Sequence, residues 1–202
     1  MYNKREVRMH IKKIFLLVGC LFFLSSCVGA LSGNTIKYLN PDVDFNYIKK
    51  IAVLPFNNMT KDKYAGEKVR DALTIDLLSR RAPFEIVEKG EVSKVLSQLF
   101  RAAGLSEGTL AGVDAEMLKL VGERLEVQAV ILGNVYDLES GGQRAIASLA
   151  VRMLDTSSGT ILWTAKSEAN GTGFVRSILG MKSEDKSILT KRAVKSALDT
   201  FF

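Results

Sequence analysis

The chain has 202 residues, with 28 Lys and Arg against 22 Asp and Glu, one histidine (His10) and two cysteines (Cys20 and Cys27). This length fits one domain that can bury a full core. The histidine and both cysteines lie within the first 27 residues, so the remainder has no Ser-His-Asp or Cys-His site, no His/Cys metal site and no disulfide. Because histidine is the commonest proton-transfer residue, this composition favours binding over catalysis.

The N-terminus has the organisation of a bacterial lipoprotein signal. Five basic residues precede an apolar run from Ile14 to Leu24, which is interrupted only by Gly19 and Cys20. The run is shorter than the ~20 residues that span a bilayer, and it suits a signal-peptide h-region. Small residues precede Cys27. The resemblance of residues 24–27 (LSSC) to the lipobox of bacterial lipoprotein signals implies a signal peptide over residues 1–26 and lipidation of Cys27, the first residue of the mature chain.

Other interpretations of this segment stay open. Cleavage before Cys20 would leave only Ile14 to Val18 as the apolar core, which is below the minimum of about 7 residues. A plain secretory signal with an incidental cysteine is another alternative, and Met9 would also serve as a start. Val28, rather than Asp, follows Cys27. The resemblance to lipoproteins of two-membrane bacteria implies that this pattern sorts the chain to the outer membrane, with the protein on the periplasmic face.

Removal of residues 1–26 changes the charge balance. The mature part holds 23 basic and 21 acidic residues, a net charge of about +2, so no strong nucleic-acid footprint remains. Residues 27–46 contain Gly, Ser, Asn, Asp and Pro41, which predicts a lipidated tether of at most ~65 Å. The periplasmic domain is expected to occupy residues 47–202.

From residue 47 onward, strand-like and helical patterns alternate along the chain. Buried strands are predicted over 48–56, 84–87 and 127–137, and an alternating hairpin over 146–155 and 160–167. Helices are predicted over 64–80, 91–103, 114–125 and 183–202. The order β-α-β-α-α-β-β-β-α predicts an α/β (α+β) fold: a single three-layer-like domain with a mixed β-sheet flanked by helices.

Four segments resemble the CsgG/LpoB-like and TolB-N-terminal-like family of envelope lipoproteins. They are residues 51–60 (IAVLPFNNMT), 84–89 (FEIVEK), 129–135 (AVILGNV) and 151–163 (VRMLDTSSGTILW). The resemblance implies a shared fold and a non-enzymatic role in cell-envelope assembly, as a scaffold or adaptor that binds an envelope protein or forms an oligomeric platform. It also leaves an alternative: a ring-forming component of a CsgG-like outer-membrane secretion system.

Two segments are candidate partner-binding sites. Asn57, Asn58 and Thr60 follow a buried strand, where α/β sheets often bind ligands, although such side chains also satisfy the backbone of their own loop. Residues 171–180 form an apolar segment with glycine at both ends. Such a segment can dock into a neighbouring subunit or onto its own domain. The apolar residues proposed for that contact are Phe174, Ile178 and Leu179.

Several conspicuous residues receive structural interpretations. Trp163 is predicted to lie in the core, Asp155 to bond the backbone of its turn, and Gly133 to permit close packing. A set of basic residues is predicted to form a solvated helix face rather than a patch for anionic glycan or lipid, because acidic residues are interleaved with it. That set is Lys61, Lys63, Lys68, Arg70, Arg80 and Arg81. No cofactor, metal or nucleic acid is expected.

Overall fold

One mixed sheet of seven strands organises the computed structural model, which describes residues 35–105, 114–141, 144–171 and 184–202. The strands are β1 Thr35–Leu39, β2 Lys50–Val53, β3 Asn57–Asn58, β4 Glu85–Ile86, β5 Ala129–Gly141, β6 Arg144–Asp155 and β7 Ile161–Asn170. The α-helices within these ranges are α1 Ala65–Ser79, α2 Lys89–Ala102, α3 Ala115–Leu125 and α4 Lys186–Leu198.

The order of strands across the sheet is β1-β7-β6-β5-β2-β4. β2 pairs in parallel with both β4 and β5, whereas β6 is antiparallel to β5 and β7, and β1 is antiparallel to β7. β3 also pairs in parallel with β5, beyond the β2 pairing, so it continues the line of β2. The mixed α/β architecture predicted from the sequence is confirmed.

Helices pack on both faces of the sheet. α1 and α4 cover one face, and their apolar stripes join the core side of β5, β6 and β7. α2 and α3 cover the other face over β2 and β5. The buried positions recur at helical spacing, as predicted; they include Val69, Leu73 and Leu77 in α1, Val92, Leu96 and Leu99 in α2, and Leu118, Val121 and Leu125 in α3.

The predicted tether is wrong from residue 35 onward. β1 lies within it and pairs with β7 from Thr35 opposite Ser167 to Leu39 opposite Trp163. A short 3₁₀ helix, Phe45–Tyr47, then leads into β2. β1 is a short strand with mostly exposed side chains, so it carries little of the buried periodicity on which strand prediction depends. Residues 28–34 are what remains between Cys27 and the sheet.

The core contains the predicted tryptophan and the predicted close-packed glycine. Trp163 is fully buried, and its Nε1 donates to Thr200 Oγ1 at 3.0 Å. A Cβ placed on Gly133 would lie 2.1 Å from the backbone oxygen of Ala150 and 2.7 Å from Cε1 of Phe56. Both interpretations are therefore confirmed. Among the described helices, none has the length and apolar character needed to cross a membrane.

Candidate partner-binding site

Part of the sheet face that carries α2 and α3 is exposed over β6, β7 and β1. Strand register places side chains there in rows that run across the sheet. One row joins Asn134 on β5, Ala150 on β6, Lys166 on β7 and Ile36 on β1. The next row joins Leu132, Arg152, Thr164 and Tyr38. Leu132 is buried beneath the helices, whereas Arg152 and Lys166 are exposed.

We call this surface the open face and define it by Ile36, Tyr38, Tyr136, Arg152 and Lys166. Ile36 is 68% exposed, Tyr38 47% and Tyr136 39%. Tyr136 is the extra residue at the β-bulge in β5, and its ring lies 5.6 Å from Lys166 Nζ. The open face thus combines apolar and aromatic side chains with two cations.

Asn57 borders the open face, as one of the residues predicted from sequence. It stands opposite Asn134 in the β3–β5 pairing, and its Nδ2 donates to Asn134 Oδ1 at 3.1 Å. The row that contains Ile36 therefore extends across five strands, a span of about 19 Å. Asn57 is half-buried, so its amide shapes the rim of the open face.

Asn58 and Thr60 hold a loop together. Asn58 Oδ1 accepts from the backbone N of Thr60 at 2.9 Å, and Asn58 Nδ2 donates to the backbone oxygen of Asp62 at 2.8 Å. Thr60 Oγ1 also accepts from the backbone N of Asp62 at 3.1 Å. The loop satisfies its own backbone, which is the alternative that the sequence left open for these residues.

Asp62 forms salt bridges with two lysines, one in the first turn of α1 and one in the first turn of α4. Hydrogen bonds from Lys68 Nζ at 2.9 Å and from Lys186 Nζ at 3.1 Å lower the pKa of Asp62 to about 2. The carboxylate therefore stays ionised at neutral pH. It joins the loop after β3 to two helices on the same side of the sheet.

Asp155 is a turn residue, as predicted. Its Oδ1 accepts from the backbone N and the hydroxyl of both Ser157 and Ser158, and its Oδ2 accepts from Tyr47 OH at 2.7 Å. Burial acts to raise the pKa of Asp155, but hydrogen bonds from Ser157, Tyr47 and Ser158 outweigh it and lower that pKa to about 2. Burial and the same carboxylate raise the pKa of Tyr47.

The six basic residues considered together in the sequence divide into separate environments. Arg70 is only 2% exposed, and its Nε donates to the backbone oxygen of Val53 at 3.0 Å. Burial lowers its pKa, and its Nη2 has no hydrogen-bond partner among the described residues. Arg80 instead pairs with Asp76 at 2.7 Å and with Asp199 at 2.6 Å. The expectation of a solvated face is therefore wrong for Arg70.

A groove of about 620 Å³ lies between α1 and α4, with Lys68, Ile75 and Lys191 in its lining. Its two carboxylates are already engaged: Asp71 pairs with Lys89 at 2.7 Å, and Asp185 caps α4 by accepting from the backbone N of Ser187 at 2.7 Å. No group of three or more metal-ligating side chains occurs in the described ranges.

The other predicted site residues lie outside the described residues. These are Cys27, the predicted lipidation site, and the apolar residues Phe174, Ile178 and Leu179. In contrast, sequence reasoning missed the open face itself. The usable signals were the alternation of Ile36 with Tyr38 and of Thr164 with Lys166. Residues 36 and 38 lie in the segment predicted as a tether, and residues 164 and 166 lie in a predicted strand whose outward side was given no role.

Comparisons with known proteins identify the fold and leave the family open. No protein-family model matches this chain, and no curated protein matches it in sequence. Its structure is similar to that of the PelC dodecamer from Paraburkholderia phytofirmans, at 15% identity and a TM-score of 0.52 over 82% of this chain and 94% of that chain.

Two further structural matches, to other bacterial proteins, are weaker. The LpoB C-terminal domain from Salmonella enterica matches at 18% identity and a TM-score of 0.45, over 60% of this chain and 82% of that chain. Lipoprotein GNA1162 from Neisseria meningitidis matches at 16% identity and a TM-score of 0.46, over 65% and 93%. LpoB, named in the predicted resemblance, is thus among the matching structures, and the resemblance to CsgG stays a prediction.

Proposed function

We propose that this chain is a lipid-anchored periplasmic protein that acts as a non-enzymatic scaffold or adaptor in assembly of the cell envelope. Acylated Cys27 anchors it to the outer membrane, with residues 28–34 as the tether. The observation that carries the proposal is the open face, where Ile36 and Tyr38 present apolar area beside Arg152 and Lys166.

The chemistry of the open face suits a protein partner. Aromatic residues and arginine are enriched in protein interfaces, and such residues supply most of the binding free energy when a partner covers them. β1 also borders the sheet, where an exposed edge can pair with an added strand. We infer that the partner is an envelope protein or a second copy of this chain.

A non-enzymatic role fits the polar groups of the described domain. The mature part has no histidine and no cysteine beyond Cys27. The carboxylates with lowered pKa, Asp62, Asp155 and Asp199, are all held by hydrogen bonds that organise a loop, a turn and a helix end. Each of these groups has a structural task that accounts for its pKa.

A ring-forming component of a CsgG-like secretion system is the second candidate. Two observations favour it over a monomeric adaptor: the similar PelC structure is a dodecamer, and β1 places an exposed strand at the edge of the sheet. In that case the open face and the β1 edge would contact the neighbouring copy. The two candidates differ in native mass, because a ring of many copies is much heavier than an adaptor bound to its partner.

The test compares two isoleucines of equal exposure. Ile36→Glu changes the open face, where Ile36 is 68% exposed, and Ile75→Glu changes α1, where Ile75 is 66% exposed. The full chain is extracted gently from its own membrane, and its native mass and partners are measured. We expect wild type and Ile75→Glu to share one complex that Ile36→Glu loses. A monomeric wild type, or a complex that survives Ile36→Glu, would contradict the proposal.

A further inference from the structure

The loop that follows β3 presents apolar and basic side chains together. We call residues 59–64 the lysine loop. Met59 is 62% exposed and Tyr64 is 57% exposed, and Lys61 and Lys63 are exposed between them. Lys63 Nζ lies 4.7 Å from the centroid of the Tyr64 ring. Methionine and tyrosine supply area for the apolar side of a membrane interface, and lysines supply charge for its headgroups.

The lysine loop is held in one conformation by its polar residues. Asn58 and Thr60 direct their side-chain hydrogen bonds to the backbone and hydroxyl groups of the loop, and Asp62 Oδ1 accepts from the backbone N of Tyr64 at 3.1 Å. The backbone N of Met59 donates to the backbone oxygen of Val135 at 2.9 Å, which fixes the loop to the sheet. A surface that is already ordered loses little conformational entropy when it binds.

The lysine loop itself carries a net positive charge, with two lysines and one aspartate. Its single acidic residue, Asp62, is paired with Lys68 at 2.9 Å and with Lys186 at 3.1 Å. Two lysines therefore neutralise this carboxylate, and Lys61 and Lys63 add two exposed cations to the loop. A basic residue close to an anionic lipid surface contributes about fivefold to binding.

The chain enters β1 on the side of the sheet that carries the lysine loop. Strand register places Thr35, where the chain enters β1, in one row with Ser167, Leu149, Val135 and Asn58. Asn58 immediately precedes the loop. β1 runs antiparallel to β5, so the chain enters β1 from the side of the sheet toward which β3 and β5 run. Thr35 and Asn58 are about 19 Å apart, measured across the strands.

The tether is short enough to keep this end of the domain near the bilayer. From Cys27 to Thr35 there are eight residue steps, which span at most about 29 Å. A tether of this length raises the effective concentration of lipid at the loop to the millimolar range, so contacts that are weak alone become populated.

We propose that the lysine loop docks on the headgroup region of an anionic bilayer, the same membrane that holds the lipid anchor. Met59 and Tyr64 enter the interface, and Lys61 and Lys63 contact lipid phosphates. This contact rests on the proposed anchoring at Cys27. It would orient the domain, with the register row from Asn58 to Thr35 turned toward the membrane.

The experiment uses the full lipidated chain in vesicles of phosphatidylethanolamine and phosphatidylglycerol. Met59→Cys and Leu78→Cys each carry the same environment-sensitive dye; Leu78 is a matched control, 61% exposed, in the last turn of α1. Acylation blocks Cys27 and cleavage removes Cys20, so the introduced thiol is the reactive one. Lipid-borne quencher then reports whether each dye contacts the bilayer.

We expect severalfold stronger quenching at position 59 than at position 78. In the Met59→Cys background, the double change Lys61→Gln and Lys63→Gln is expected to weaken the contact equilibrium by about 25-fold, and vesicles of phosphatidylcholine to weaken it similarly. Equal quenching at both positions, or quenching that the lysine substitutions leave unchanged, overturns the membrane contact and leaves the proposed anchoring intact. The mass of the mature chain reports acylation independently, and a chain without lipid overturns the anchoring and the contact that depends on it.

Discussion

Asp155 offers a direct test of how the β6–β7 turn is stabilised. The carboxylate accepts from Ser157 and Ser158 in the turn and from Tyr47 ahead of β2, so it joins the N-terminal segment to the hairpin. Its pKa falls from 3.8 to about 2 on folding. Such a difference corresponds to about 2 kcal/mol of folding free energy, contributed by the ionised form.

The sign of the pH dependence follows from the lowered pKa. Because the folded pKa lies below the unfolded value, this stabilisation is fully present above about pH 4 and is lost as the pH falls toward about 2. Asp155→Asn keeps the shape of the side chain and removes the charge. We therefore expect the variant to be about 2 kcal/mol less stable at pH 7, with the gap closing as the pH approaches 2.

The assay is urea unfolding at a series of pH values, followed by fluorescence of Trp163, the chain's one tryptophan. Asp62→Asn is the control, since Asp62 also has a lowered pKa but lies in a different loop. Its stability loss is expected to add to that of Asp155→Asn in the double variant. A gap between wild type and Asp155→Asn that stays constant from pH 7 to pH 2 would refute the reasoning.

Five further substitutions, at four positions, test the packing by the same unfolding assay. Gly133→Ala is expected to lower the free energy of unfolding by about 3 kcal/mol, because its Cβ would overlap the backbone of β6. Gly104→Ala is the control, at a φ of +67° with open space around it, and is expected to cost about 1 kcal/mol. Equal losses for the two variants would contradict this explanation. Arg70→Met is expected to stay within about 1 kcal/mol of wild type because it removes a buried guanidinium and keeps most of the side-chain volume, and Arg70→Ala to lose about 3 kcal/mol. A loss of about 3 kcal/mol with Met as well would show that the guanidinium itself stabilises the fold. Thr200→Val is expected to cost about 1–3 kcal/mol, because it leaves Trp163 Nε1 buried without its acceptor; an unchanged midpoint would mean that this bond contributes nothing.

Much of the fold is readable from local patterns in the sequence. The apolar run at Ile51 predicts a buried strand, and helical stripes such as Val69, Leu73 and Leu77 predict the faces that pack. The cap at Asp114 is equally local, with its Oδ1 accepting from the backbone N of Met117 at 2.8 Å. Such features depend on residues a few positions apart, so one sequence specifies them.

Features that depend on distant pairing were not predicted. β1 exists because residue 36 meets residue 166, and β3 because Asn57 meets Asn134. Neither strand is long or apolar enough to be recognised alone, since the pairing partner supplies much of the stabilisation. The candidate site is likewise a row of side chains contributed by separate strands.

Composition by itself determined that no histidine and no cysteine follows Cys27, and so it left the rest of the chain without the residues on which His- and Cys-based catalytic and metal sites depend. Tertiary structure alone decided which charges are accessible. Arg70 and Lys68 lie two positions apart on α1, yet one is 2% exposed against the sheet and the other reaches Asp62 at the surface. Successive helical residues differ by about 100° around the axis, and only the placement of the helix on the sheet decides which direction leads to the core and which to solvent.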